Sequence, residues 1–380
     1  EGVMEKDGQG GPAGLRLFLA GDVMTGRGID QILPHPVDPR LYEGWVTSAE
    51  DYVSLAERRS GPIPRGVPFP YVWGDLLGDL SGRDCDLRIV NLETAITRAA
   101  THWPKGINYR MSPENAGVLS AAQLDACTLA NNHVLDWGDA GLIETLEVLE
   151  GAGIGQAGAG RSAREAEAPL VLEVPGKGRV LVIALGSWTS GVPERWQAGP
   201  DRPGIALLPE DPDAAVAWVK DRVAPLRRDG DLLVLSVHWG ANWGFDVPFH
   251  QRALARALID RAGVDLVFGH SSHHPKGVEI YRGRLIVYGA GDLINDYEGI
   301  GGQESYHPDL GLAYVADLEP ATGKLAGLEM LPYRRQAFRL TRADAEEVEW
   351  LAHMLRRDSL LGEGGVARTP AGTLSLDLGR

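Results

Sequence analysis

Apolar residues fall into short runs along the chain, and most of these runs end abruptly in polar side chains. Residues 15–20 run into Gly21 and Asp22, residues 87–90 into Asn91-Leu92-Glu93, and residues 126–130 into Asn131-Asn132-His133. Two later runs, 232–237 and 264–268, end in His238 and in Gly269-His270-Ser271-Ser272-His273-His274. Runs of this length bounded by turn residues predict buried strands. Between them the spacing becomes helical, predicting helices over 48–59, 72–80, 113–122, 140–149 (with Asp139 as its cap), 213–226, 249–262 and 343–356. Residues 170–174 with 180–185, and 278–281 with 285–288, flank glycine turns and read as hairpins. Residues 311–318 and 325–331 predict late strands, and 289–302 a polar, glycine-rich loop. Alternating strands and helices, with hairpins entering later, predict an α/β fold of mixed sheets flanked by helices. Functional loops in such sheets gather at the carboxyl ends of strands, where each polar cluster stands.

One stretch departs from this rhythm. Residues 33–70 are rich in proline, and with the residues just beyond they carry Tyr42, Trp45, Phe69, Tyr71 and Trp73. These aromatics either floor a substrate cleft or pin a long loop to the body. Gly21, Gly26 and Gly28 follow a first strand, but they lack the dinucleotide spacing, and no Gly-Lys-Ser/Thr phosphate loop is present.

Composition narrows the partners. The 380 residues are 44% hydrophobic and 23% charged, as in a soluble globular protein, and the net charge of -15 argues against nucleic acid. Cys85 and Cys127 read as free, buried thiols in a reducing compartment, which gives a cytoplasmic expectation. No apolar run is long enough for a membrane anchor. Residues 1–14 read as a disordered or added segment.

The strand tips gather Asp22, Glu93, Asn131, Asn132, His133, His238, His270, His273 and His274, including five of the ten histidines. Carboxylate, amide oxygen and imidazole without cysteine form a nitrogen/oxygen site for a divalent ion such as zinc, manganese or iron. Asp292, Asn295 and Asp296, in the glycine-rich loop, can ligate the ion or orient a ligand. Arg27, Lys105 and Arg110 either hold a substrate carboxylate or phosphate or are solvated charge. Residues 299–302, with Tyr306 and His307 beyond them, read as a flap.

The whole set resembles the CapA family of poly-gamma-glutamate capsule proteins, which share the calcineurin-like metallophosphoesterase fold. Its motifs here are Gly21-Asp22-Val23-Met24, Asn91-Leu92-Glu93, Asn131-Asn132-His133 with Asp136 and Gly138, His238-Trp239-Gly240, Gly269-His270-Ser271-Ser272-His273 and Tyr288-Gly289-Ala290-Gly291-Asp292. The resemblance implies a four-layer αββα sandwich, two mixed β-sheets flanked by helices. It implies a single catalytic domain over 15–340, with a helix and tail at 341–380 packed on it. It makes Glu93 the bridging carboxylate, Asn132, His238 and His270 the other ligands of one metal site, and His133 the acid. Asp22 belongs to a further site that is short of ligands, because Met24 and Ser272 stand where the phosphoesterases have histidine. That site is weak, remodelled through His273 or Asp292, or absent. The ion can be Mn, Zn, Fe, Co or Ca.

A single ion with Asp22 as base and His133 as acid suits proton exchange at a peptide α-carbon. Some soluble CapA-like proteins are peptide epimerases of lasso-peptide biosynthesis, and the expectation is such an epimerase acting on a peptide or small molecule. Arg27, Asn131, Asp136, His273, His274 and Asp292 would support the site or touch substrate. The alternatives are a metal-dependent phosphoesterase or amide hydrolase, and a non-enzymatic capsule-synthesis component.

Overall fold

The first strand, Leu15–Val23, is buried along almost its whole length, as an apolar run requires in the middle of a sheet. It pairs in parallel with Leu87–Leu92 and antiparallel with Leu310–Leu318. The sheet continues beyond Leu87–Leu92 through Ala126–Thr128 and Gly155–Ala157. Beyond Leu310–Leu318 it continues through Leu325–Gln336, Leu374–Asp377 and Gly365–Arg368. With Asp292–Ile294 and Arg339–Arg342 joined from the side, it is a ten-stranded mixed sheet. A six-stranded mixed sheet runs in the order Val278–Tyr281, Arg284–Val287, Leu266–His270, Leu232–His238, Gly178–Gly186 and Leu170–Val174. This computed structural model describes residues 14–379, so the expectation for the first 14 residues lies, apart from Gly14, outside the described residues.

Period-two alternation divides the six-stranded sheet between two cores. Val180, Val182, Val234, Leu266, Phe268 and Val287 share a core with Leu17, Leu19, Ile89 and Ala126 of the larger sheet. Leu181, Ile183, Leu233, Leu235 and Val237 turn the other way. They pack with Val216, Val219, Leu254 and Leu258 of the helices Pro212–Val223 and Phe249–Ala262. Across the seam the Phe268 ring meets Tyr314 edge-on at 5.7 Å, and Ser236 Oγ donates to Thr128 Oγ1 at 3.0 Å. The carboxyl ends of strands from both sheets therefore meet.

Several local expectations change. The helix expected from 140 with Asp139 as cap is Gly138–Gly151; Trp137 stands at its start with no side-chain cap, and Asp139 lies in the first turn. The glycine-rich stretch after the first strand holds a short helix, Arg27–Ile32. Gly74, at φ 48°, splits the helix expected over 72–80 into a turn at Tyr71–Trp73 and a helix at Asp75–Ser81. The tail adds two strands, Leu374–Asp377 pairing onto Leu325–Gln336 and Gly365–Arg368 outside it. The last helix, Ala345–Asp358, starts at a capping box of Asp344 and Glu347.

The aromatic stretch at 33–73 mostly pins its loop. Trp73 is buried and donates Nε1–H to the Val118 carbonyl, Phe69 and Tyr71 pack on the core, and Tyr42 stacks on His102. Trp45 is 99% exposed and pins nothing. Cys127 is buried, Cys85 half-buried, and both are free. Among the described residues no helix is long and apolar enough to cross a membrane.

Candidate metal centre

His238 and His270 are the last residues of two adjacent parallel strands and stand directly opposite each other in the register. Side chains at matched positions in a parallel pair share a face, and here the two Nδ1 atoms face each other at 2.8 Å. Ser236 gives its own hydrogen to Thr128, so its Oγ accepts from His270 Nε2–H at 2.7 Å. Asn132 Oδ1 accepts from His238 Nε2–H at 3.0 Å. Both rings thus present Nδ1 lone pairs inward, and Asp22 Oδ1 lies 3.6 Å from each. Two lone pairs this close need a proton or a cation between them. The three separations are near the edge, about 3.3 Å, of a tetrahedron with bonds of about 2.0–2.1 Å. The donor set fits a divalent ion.

Asp22 belongs to a second convergence as well. Its carboxylate, with those of Glu93 and Asp292, forms a further group whose oxygens lie within 4.8 Å of one another. The backbone explains why. Asp22 stands beside Asn91 on one side and Asp292 on the other, through parallel pairing with Leu87–Leu92 and with the short strand Asp292–Ile294. The chains approach so closely that a Cβ on Gly21 would lie 2.2 Å from the Gly291 carbonyl oxygen. Asn91 Nδ2 donates to Asp22 Oδ1 at 2.6 Å, and the Ser271 N–H to Oδ2 at 3.1 Å. Ser271 reaches it from φ 107°, a conformation costly for a residue with a side chain.

The electrostatics follow from burial. Burial, then the charge of Asp292, push the Asp22 carboxyl up to about 8, and burial and Asp22 raise Glu93 well above its usual value. Burial opposes ionisation of Asp292 too, but His273, Arg335 and Asn295 outweigh it and hold that carboxyl below its usual value. His273 Nδ1 lies 3.0 Å from Asp292, and Asn295 donates to the same carboxylate at 2.7 Å. Burial lowers His270 to about 3, and burial with neighbouring imidazoles lowers His238. Neutral imidazoles and crowded carboxylates are the state that a divalent ion relieves.

His133 stands to one side of these groups. Its Nδ1 is 2.6 Å from Asp136 Oδ2, its ring stacks on Tyr109 at 3.8 Å, and Nε2 lies 3.9 Å from Glu93 Oε1. Asn131 builds the turn that delivers it: Oδ1 accepts from the His133 and Val134 N–H groups, and Nδ2 donates to the Leu92 carbonyl. Lys105 Nζ pairs with Asp136 Oδ1 at 2.7 Å. Burial, then Lys105, keep the His133 pKa well below its usual value.

The remaining expected residues divide. Arg27 is buried and committed: it forks onto Asp296, pairs with Glu43 at 2.8 Å and lies 3.5 Å over the Tyr52 ring. Arg110 donates to the Ala99 and Asp38 carbonyls. Lys105 is paired as well, so Arg27 and Lys105 face carboxylates, while Arg110 meets main-chain carbonyls. His274 points away, accepts the Gly244 N–H at Nε2 and packs among Trp243, Phe245 and Tyr306, with its pKa lowered to about 4 by burial. Asn132 orients His238 in this arrangement, and Asp22, rather than Glu93, is common to both groups.

A cavity of about 330 Å³ adjoins His273, walled by Arg27, Tyr52, Tyr109, Trp243 and Tyr297. The hydroxyls of Tyr109 and Tyr297 hydrogen-bond to each other. None of these four aromatics was singled out as a cleft wall, since no local pattern marks them. Ser236 does carry a local signal, standing two residues before His238 on the same strand face.

The family model described as bacterial capsule synthesis protein PGA_cap matches residues 16–297, more than half of the chain. A probable polyglutamine synthesis accessory protein of Mycobacterium tuberculosis strain H37Rv is 45% identical over 352 residues, 92% of each chain. The PGA biosynthesis protein CapA of Bacillus subtilis strain 168 is 29% identical over 192 residues, 50% of this chain and 48% of that one. An uncharacterized protein of Sinorhizobium fredii is 31% identical over 277 residues, 56% of this chain and 60% of that one.

Proposed function

The chain belongs to the bacterial capsule synthesis protein family PGA_cap, and from that premise we propose a metal-dependent enzyme of polyglutamate-type polymer synthesis that acts on a peptide backbone by amide cleavage. The observation that carries the reading is the His133–Asp136 pair beside a centre in which Asp22 belongs to two donor groups. One ion would be held by Asp22, His238 and His270, and a second by Asp22, Glu93 and Asp292. Bound there, divalent ions supply Lewis acidity toward a carbonyl or phosphoryl oxygen and lower the pKa of water. Imidazole with carboxylate suits Mn, Zn, Fe or Co, and the all-carboxylate group also admits Ca.

His133 is the proton carrier. Asp136 accepts its Nδ1–H, which leaves Nε2 turned to the centre to protonate a departing nitrogen. Asn91 and Ser271 hold Asp22 by hydrogen bonds, so it serves as a ligand and not as the free base that epimerisation would ask of it. The walls of Tyr52, Tyr109, Trp243 and Tyr297 limit water at the cavity. The same reading takes the two sheets and their helices as the four-layer sandwich of calcineurin-like metallophosphoesterases, supported by the core that the sheets share.

Epimerisation at a peptide α-carbon is the second reading. It needs a second proton carrier, and the hydrogen-bonded hydroxyls of Tyr109 and Tyr297 in the cavity wall offer one. The test incubates the Mn-loaded protein with γ-glutamyl oligomers and α-linked peptides in heavy water. Release of new amines, lost in His133→Gln, is the expected result. Deuterium at an α-carbon without amine release moves the assignment to epimerisation. Neither product from any substrate, or equal activity in His133→Gln, overturns both.

A further inference from the structure

We propose that Arg335 is a positioning residue that holds Asp292 in the metal centre and ties that strand to the segment bordering the cavity. The inference rests on the reading that Asp292 shares an ion with Asp22 and Glu93.

Arg335 lies on Leu325–Gln336 and is 5% exposed. A buried guanidinium normally faces a carboxylate, because an unpaired charge is costly away from water. Among the described residues Arg335 makes no ion pair; its partners are main-chain carbonyls. Nη1 donates to the carbonyls of Asp292 and Leu293, and Nη2 to those of Pro308 and Leu310, at 2.5 and 3.0 Å. Nε has no partner. One side chain therefore grips two separate segments by four carbonyls.

The first segment needs such a grip. Asp292–Ile294 is a strand of three residues. It pairs with the first strand over a short register, flanked by two main-chain bonds, Asp22 N–H to the Gly291 carbonyl and Met24 N–H to the Ile294 carbonyl. A strand so short does not hold a carboxylate in place unaided. Arg335 satisfies carbonyls on its other side, and puts a fixed positive charge behind Asp292. Gly311 makes the reach possible: a Cβ there would lie 2.6 Å from the Asp292 oxygen and 2.7 Å from Arg335 Nη1. The second segment follows the stretch that carries Ile300, Gly301 and Gln303 of the cavity wall, and Pro308 is itself in that wall. Arg335 thus joins the carboxylate half of the centre to the cavity border.

The experiment titrates Mn(II) into metal-free protein by calorimetry, with metal per chain from mass spectrometry and spin coupling from electron paramagnetic resonance. The wild type should take two coupled Mn(II). Arg335→Lys should keep the first ion within about twofold and bind the second at least tenfold more weakly, with loss of coupling and an unchanged circular dichroism spectrum. Arg334→Ala, on the neighbouring residue, should keep both ions. If Arg335→Lys does not fold, Gly311→Ala crowds the same contact from the other side and should cause the same selective loss. Retention of both affinities by the folded Arg335→Lys protein, or equal weakening of both, overturns the positioning role. A wild type that binds one ion overturns the two-ion reading itself, before Arg335 is at issue.

Discussion

The two sheets bring different chemistry to one seam. The six-stranded sheet supplies imidazoles, His238 and His270, at the ends of two long strands in register, each with a dedicated hydrogen-bond partner. The ten-stranded sheet and its loops supply carboxylates, Asp22, Glu93 and Asp292, the last on a strand of three residues. The imidazoles are buried and neutral, so their half needs a single cation or proton between the two facing lone pairs. Three carboxylates cannot all ionise so close together, so their half is completed only by cations or protons. The largest test of this contrast removes one member from each half. His238→Ala should bring substrate turnover to background and weaken the first ion more than about 100-fold, beyond the usual cost of losing a mere orienting partner. Asp292→Asn should lose only the second ion. Calorimetric Mn(II) titration of both variants checks the split, and equal losses would break the comparison.

His133 belongs to neither half, because it faces the centre with its own carboxylate and should act after the ions are bound. His133→Gln should lower kcat by about 10²–10⁴-fold while both Mn(II) affinities stay within a factor of two. Amine release under saturating substrate measures the first and calorimetry the second.

Much of this division can be read in the chain. A buried strand ending in histidine is a local pattern, so His238, His270 and the Asn131-Asn132-His133 turn stand out, as do the sheets that carry them. The short strand at Asp292–Ile294 cannot be seen that way, since three residues within a polar, glycine-rich stretch have no periodicity of their own. It forms because the first strand accepts it. The same holds for Arg335 and the cavity aromatics, whose partners are 25 to 43 residues away for Arg335 and 188 for Tyr109 with Tyr297. The displaced helix start at Gly138 is a smaller case: Asp139 has the right chemistry for a cap, but the glycine at φ 68° turns the chain one step earlier.

Proton linkage sharpens the contrast further. Asp22, raised to about 8 in the folded protein, contributes stability that is fully present below its unfolded value of about 3.9 and lost as pH rises through 8. His270, lowered to about 3, works in the opposite sense: its contribution is present above about 6.5 and lost as pH falls through 3. Between pH 6.5 and 8 His238 and His270 are neutral in both states, while Asp22 titrates together with Asp136, which burial raises to about 7, and His273, where burial is outweighed by Asp292 and the pKa rises. The stability of metal-free protein should therefore fall across that window by up to about 1.4 kcal/mol per pH unit for each such group, and its melting temperature with it. Asp22→Asn should flatten the fall, and so should saturating Mn(II). A calorimetric melting series at four pH values decides, and a rise in wild-type melting temperature would count against the buried-carboxylate account.

The smallest expected effect probes the imidazole half alone. Ser236 accepts the Nε2–H of His270, and that bond leaves Nδ1 as the free lone pair. Ser236→Ala removes the acceptor at a position 3% exposed, so His270 can turn or change tautomer, and Thr128 loses a donor as well. The cost in stability should be about 1–3 kcal/mol, the range for a buried polar group left unpaired. The first ion should bind about tenfold more weakly, the lower end for loss of an orienting partner. The second ion, held by carboxylates that Ser236 does not touch, should bind as before. If Ser236→Ala weakened both ions alike, the two halves would have to be treated as one coupled set, and Asp22 would be the residue through which the coupling runs.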